Sequence, residues 1–261
     1  MVRNREELKR IFAQDPELYD RARPGYPAQL FDDLFALTNL NRSDSILEIG
    51  CGTGQATVSL APRGCRLVCL ELGERTAAFA RSKFAQLSNV EVIAAEFESW
   101  DPAGQKFSMV FAATSWHWLD PDVRYRKAAG AIKPGGSLAI VSTSHVLPED
   151  FDPFFTEIQD SYSSIQGTER GPMKPQDIPD ERADIEGSGV FGDVRVRRYL
   201  WEIEYTASEY IGLLNTYSDH RAMESSKRDL LYTEIRRQIE AKPEGRIRKH
   251  YLNTLNIARL L

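Results

Sequence analysis

The chain has 261 residues, 42% of them hydrophobic and 27% charged, with a formal net charge of −5. This is the composition of an ordinary soluble globular protein, long enough for one large domain or two small ones. The acidic balance argues against broad binding to nucleic acid, no apolar run approaches the roughly 20 residues that span a bilayer, and the charged start "MVRNREELKR" lacks the apolar stretch of a signal peptide.

In chain order, helices are expected at residues 4–13 and 27–37, with Pro27 suited to a first helical turn and "YDRARPGYP" (19–27) as the connector. From residue 44 short apolar runs alternate with amphipathic stretches. Strands are expected at 45–49, 66–71, 90–95, 107–113 and 136–142, and helices at 54–61, 73–87 and 122–132. The strands are apolar almost throughout, as in a parallel sheet covered on both faces. Strict alternation predicts an α/β, doubly wound, mostly parallel Rossmann-like sheet with right-handed crossovers. A helix is expected at 151–164, a loop at 166–189, a strand at 193–206, helices at 207–216 and 224–241, and a last strand at 250–260. No linker separates two self-sufficient cores, so a single domain is expected over 1–261: an N-terminal helical segment (1–39), a core (40–145) and a C-terminal part (146–261). Cys51, Cys65 and Cys69 are an odd count with no companion His cluster. They predict buried thiols in a reducing cytoplasm rather than a disulfide framework or a metal site.

The strongest signal is "LEIGCGTGQA" (47–56), where Gly50, Gly52 and Gly54 join the first strand to the first helix. Such glycines let the backbone turn tightly and approach a ligand, at the carboxyl edge where ligands of open parallel sheets bind. Glu71, ending the second strand, is placed to accept hydrogen bonds from ribose hydroxyls. Two details speak against a dinucleotide. The spacing is Gly-x-Gly-x-Gly, not Gly-x-Gly-x-x-Gly, and Glu48 would repel a pyrophosphate while suiting a ligand with positive charge.

With these residues the segment resembles the first motif of class I S-adenosylmethionine-dependent methyltransferases. The likeness runs on in order through Glu71, "AAEFESW" (94–100), "FSMVFAATSWHWLDP" (107–121) and "AIKPGGSLAIVS" (131–142), covering about residues 40–145. It implies a seven-stranded sheet with the last strand antiparallel, and S-adenosylmethionine as cofactor with S-adenosylhomocysteine as product. "YDRARPGYP" and "TSWHWLDP" are similar to one branch, the methyltransferase type 11 kind near enzymes acting on trans-aconitate. Carried onto this chain, the resemblance implies a cofactor set of Tyr19, Arg23, Glu48, Gly50, Cys51, Gly52, Gly54, Glu71, Leu72, Glu96, Phe97, Ala113 and Thr114. Arg23 would meet the methionine carboxylate, for which a guanidinium fork is suited. Glu96 and Phe97 would meet adenine.

The segment 221–249 is locally basic, with Arg221, Lys227, Arg228, Arg236, Arg237, Lys242, Arg246, Arg248 and Lys249 against five acids. The resemblance implies an insertion here, about 205–248, that caps the substrate pocket. A solvated helix face is the preferred reading for most of these charges. His220 and Arg221 stand out as pocket candidates, as do Trp116 and Trp118 for an apolar or planar acceptor. His117 reads as a general base, a pocket wall or a core residue, and His145 is a second candidate base. The expected function is methyl transfer to a small molecule, a carboxylate or a hydroxyl compound, with no nucleic-acid or membrane partner. A non-catalytic S-adenosylmethionine-binding protein and a nicotinamide-dependent oxidoreductase are the competing readings.

Overall fold

The apolar runs pair side by side in the computed structural model, which describes residues 15–166 and 173–261. β1 (Ser45–Ile49), β2 (Arg66–Glu71), β3 (Val90–Ala94), β4 (Phe107–Ala113) and β5 (Ile132–His145) are joined in parallel. β6 (Phe191–Thr206) and β7 (Arg246–Leu260) complete a seven-stranded sheet of order β3-β2-β1-β4-β5-β7-β6. β7 runs antiparallel to both of its neighbours, β5 and β6. The expected α/β sheet is therefore present, with its antiparallel last strand lying inside the sheet. Strand order reverses between β1 and β4, which opens a crevice at their carboxyl ends.

Period-2 alternation splits each strand between two apolar layers. Leu47, Val68, Val110 and Leu138 face one cluster, shared with Tyr125 and Ala128 of α5 (Arg124–Ala131). Ile46, Leu67, Met109 and Ala139 face the other, shared with Leu30, Phe31 and Leu34 of α2 (Ala28–Thr38) and Leu60 of α3 (Thr57–Leu60). α4 (Glu74–Lys83) packs against β2 and β3.

The outer segments depart from the sequence expectation in several places. The connector expected at 19–27 is helical in its first part, where it completes α1 (Pro16–Ala22). Asp15 caps it by accepting from Leu18 N at 2.9 Å, and Pro16 occupies the first turn, where its missing N–H costs nothing. The helix expected at 4–13 lies outside the described residues. The helix expected at 151–164 is two, α6 (Phe154–Glu157) and α7 (Gln159–Gln166). Of the loop expected at 166–189, residues 167–172 lie outside the described residues, and α8 (Arg182–Gly187) forms near its end because fully buried Ile185 anchors it to the core.

Between β6 and β7 come α9 (Ala207–Leu214), α10 (Ser218–Ala222) and α11 (Ser225–Glu240), where a capping insertion was expected. Thr206 and Glu209 form a reciprocal capping box that starts α9. Leu213, Leu231, Ile235 and Ile239 then build a third apolar cluster with Phe154 and Phe155 of α6 and Ile247 and Tyr251 of β7. The cap is thus packed onto the first residues of β7, which lie at the carboxyl edge of the parallel strands.

Gly54 has φ +92°, and a Cβ there would lie 2.4 Å from the Phe84 ring. Gly54→Ala therefore meets both backbone strain and a rigid neighbour. It is expected to lower stability by about 2 kcal/mol or more, read as a lower urea midpoint at unchanged slope.

Candidate functional site

The site begins with the turn after β1. Gly50 has φ +66°, and an added Cβ would lie 2.6 Å from Ser115 Cβ, so no other residue fits. The amides of Gly50 and Cys51 both donate to Leu70 O, at 2.8 and 3.1 Å. Glu71 accepts from Gly52 N at 3.0 Å and Gly73 N at 2.8 Å. Burial nonetheless holds its carboxyl above the usual range, with these two amides opposing the shift. The turn is thereby fastened across the ends of β1 and β2.

Glu48 lies beneath it on the face of Ile46, 1% exposed. It accepts from Thr57 Oγ1 at 2.7 Å and from Cys69 Sγ at 3.4 Å. Burial pushes its pKa up to about 7, only partly opposed by these two hydrogen bonds. Cys51, Cys65 and Cys69 are all buried, free thiols.

Thr114 directly follows β4, and its φ of +56° is costly for a β-branched residue. The conformation is held from several sides. Thr114 N donates to Val141 O at 2.8 Å, and its hydroxyl lies 3.0 Å from both Tyr26 OH and Thr143 Oγ1. Asn253 Nδ2 of β7 donates to Thr143 Oγ1 at 2.7 Å. This polar chain crosses the sheet edge from the N-terminal segment to β7.

Two cavities open at this edge. A cleft of about 270 Å³ runs over the glycine turn, past Glu71, Leu72, Glu96 and Phe97, to His117 and Trp118. A chamber of about 1150 Å³ lies on the other side, between Glu48, Cys51, Ala113 and His145 on the sheet and His220 in the cap. The two meet at Tyr19, Arg23, Gly50, Gly52 and Thr114. Arg23 bridges core and cap. Its Nη2 donates to Thr216 O at 3.0 Å, and its guanidinium lies 5.1 Å from the Tyr19 ring and 4.4 Å from the Tyr217 ring. Its Nε is buried and has no acceptor among the described residues.

Of the residues singled out from the sequence, three lie away from both cavities. Trp116 is 2% exposed and packs in the core, 5.2 Å and edge-on to Tyr125. The short 3-10 turn at 116–118 sends successive side chains in different directions, so Trp118 reaches the cleft and Trp116 does not. Gly54 is filled in by Phe84, and Arg221 stands beside the chamber wall made by His220 and Ala222. His117 and Trp118 have ring centroids 4.8 Å apart on the cleft side. His145 lies on the chamber side, 4.6 Å and edge-on to Phe155, and burial with nearby Lys249 lowers its pKa to about 2. Phe155, Tyr162, Tyr210, Tyr217 and Tyr251, which sequence reasoning does not single out, line the chamber together with Tyr26 of the N-terminal cluster and Lys249 of the basic segment. Period-2 spacing of Ile247, Lys249 and Tyr251 was the available signal, but the last strand was taken to begin at 250.

The sheet order, with one antiparallel strand next to its edge, is that of the Rossmann-like methyltransferase fold. Residues 46–136 match the family model described as a methyltransferase domain. A methyltransferase of Mycobacterium bovis, described as uncharacterized, is 29% identical over 145 residues, covering 54% of this chain and 55% of that protein. A malonyl-(acyl-carrier protein) O-methyltransferase of Marinomonas sp. is 29% identical over 142 residues, 50% of this chain and 52% of that protein. The chain thus spans about half the length of these curated relatives. Among solved structures, the YcgJ protein of Bacillus subtilis superposes with a TM-score of 0.56 at 14% identity, over 90% of this chain and 99% of that one. An N-methyltransferase 2 of Haemonchus contortus, in complex with phosphomonomethylethanolamine and S-adenosylhomocysteine, gives 0.53 at 16% identity, over 96% and 56%. These structural likenesses are likenesses of fold.

A carboxyl held up by burial favours the fold in its protonated form. Stability from Glu48 is complete below its unfolded pKa near 4.5 and is lost as pH rises through about 7. Glu48→Gln is therefore expected to stabilise the ligand-free protein at pH 8 by about 2–3 kcal/mol, and to change it little at pH 4.5. Urea unfolding at the two pH values measures the difference.

Proposed function

We propose that this chain is an S-adenosylmethionine-dependent methyltransferase acting on a small-molecule acceptor that presents a carboxylate or a hydroxyl oxygen. The observation that carries this reading is the meeting of cleft and chamber at Arg23, Gly50 and Thr114. A cofactor lying in the cleft would present its reactive end to the chamber. The residues there suit such a ligand. Glu71 and Glu96 can take hydroxyl and amino donors, Phe97 offers an apolar wall, and the buried unpartnered Nε of Arg23 can donate to a carboxylate. Glu48, beneath the junction, can face a ligand ammonium.

When bound, the cofactor supplies a methyl group already activated by its sulfonium. The chain's own residues have to align the acceptor with that methyl and exclude water. Arg23 and Tyr19 close the junction from the N-terminal side, while the cap closes the chamber. A carboxylate acceptor needs no general base. His145, with a pKa near 2, is a weak base, so we assign it to the chamber wall. We assign His117, on the cleft, to shaping the cofactor side. The likeness to the branch near trans-aconitate enzymes is supported by α1 and its continuation, which bring Tyr19, Arg23 and Tyr26 to the site. The buried free thiols fit a reducing compartment, and we propose the cytoplasm. Among the described residues no helix is long and apolar enough to cross a membrane.

Calorimetry and turnover test the proposal. The protein is expected to bind S-adenosylhomocysteine and not NAD, and Arg23→Ala to weaken that binding about 10- to 100-fold, the worth of a charged hydrogen bond. Unchanged affinity in the variant would remove Arg23 from the site. A cationic ligand facing Glu48 favours its ionised form, so binding near pH 7 should release protons, seen as a heat that depends on buffer ionisation. With a panel of carboxylic acids and phenols, turnover to S-adenosylhomocysteine is expected. Binding without turnover of any acceptor would favour the non-catalytic reading. His117→Ala should leave turnover at saturating acceptor within about threefold, since loss of a base typically costs 100-fold or more.

A further inference from the structure

The cationic side chains of the segment 221–249 behave in two ways. Most sit at the surface against acids: Arg237 with Glu234 at 2.6 Å, Arg236 with Glu240 at 3.2 Å, Lys242 with Asp152 at 2.8 Å, and Arg248 with Glu202 at 3.6 Å. These pairs are the solvated face that composition alone would suggest. Lys249 is different. It follows Ile247 and precedes Tyr251 on the inward face of β7, and it is 2% exposed.

The Lys249 ammonium lies 5.2 Å from the Phe155 ring, 5.8 Å from Tyr210 and 5.3 Å from Tyr251, and it lines the large chamber. No carboxylate pairs with it among the described residues. Burial, and after it the like charge of Arg23, hold its pKa well below the ordinary lysine value. Aromatic faces attract a cation but supply neither the hydration nor the counter-charge that a buried ammonium gives up. The fold therefore holds a cation where it is unfavourable by itself, at the wall of a cavity. Glu48 and Asp219 also line that cavity, but Glu48 is engaged with Thr57 and Cys69, and Asp219 accepts from His220 N at 2.9 Å.

We infer that Lys249, inside its collar of Phe155, Tyr210 and Tyr251, is the receptor for an anionic group of the methyl acceptor, a carboxylate or a phosphate. The anion would supply the counter-charge the fold withholds, and the rings would pack against the carbon beside it. Arg23, on the opposite side of the junction, adds a second positive charge facing the same space. Electrostatic complementarity of this kind sets which molecules are admitted more than how tightly they are held. The inference rests on the methyltransferase reading for what is transferred, but the anion site itself does not require it.

The test is thermal shift and calorimetry on the full chain, with and without S-adenosylhomocysteine, using succinate, citrate, inorganic phosphate and the neutral analogue succinamide. Wild-type protein is expected to bind at least one of the anions at least tenfold more tightly than succinamide. Whether that anion is succinate or citrate on one side, or phosphate on the other, assigns the group. Lys249→Met should lower anion affinity at least 30-fold and leave S-adenosylhomocysteine affinity within twofold, and Lys249→Arg should recover part of the loss. Anion binding unchanged in Lys249→Met overturns the inference. So does a wild-type protein that fails to prefer any of the anions to succinamide, a comparison that needs no variant to fold. Failure to bind S-adenosylhomocysteine would instead overturn the methyltransferase reading, while the anion comparison on the ligand-free chain would still decide the role of Lys249.

Discussion

The structure depends on one constraint at the end of β1. The backbone must reverse there between two packed neighbours, Ser115 on one side and Phe84 on the other, with no room for a Cβ at Gly50 or Gly54. The amides freed by this reversal are taken by Leu70 O and by the Glu71 carboxylate. The turn is therefore part of the sheet edge rather than a loose loop. Because it stays low, the cleft and the chamber can meet above it. The strained Thr114 at the end of β4 belongs to the same arrangement, since its hydroxyl ties the N-terminal segment to β5 and, through Thr143, to β7.

Around that edge the protein buries several groups that water would hold more comfortably. Glu48, Glu71, Lys249, His145 and the tyrosines of the cap all have their ionisation disfavoured by burial. Some are satisfied within the protein, as Glu71 is by two amides. Apart from these, the buried Arg23 Nε has no acceptor among the described residues. A site with unmet polar groups facing a cavity is poised for a ligand that supplies them, and the order of the groups along the cavities gives the ligand its direction. The N-terminal segment contributes to this as much as the sheet does. Lys83 holds Asp20 of α1 at 2.6 Å, which keeps Tyr19 and Arg23 over the junction.

The sequence by itself determined the sheet, the glycine turn and the acid at the end of the second strand. Apolar runs alternating with amphipathic stretches leave few topologies, and glycines at positive φ next to a strand-end acid are local features that read directly from residue type. The resemblance implied an insertion between the last two strands, and three helices lie there. Tertiary structure alone decided the lining of the chamber. Trp116 and Trp118 are two positions apart, yet one packs in the core and the other lines the cleft, because a 3-10 turn between them sets direction. The nine cations of the basic segment are alike in sequence, and only packing of distant elements separates a salt bridge such as Lys242 with Asp152 from Lys249 in its aromatic collar. Burial and the absence of a near counter-charge are properties of the packed molecule. They arise when α6, α9 and β7 close on one another, and no local pattern encodes them.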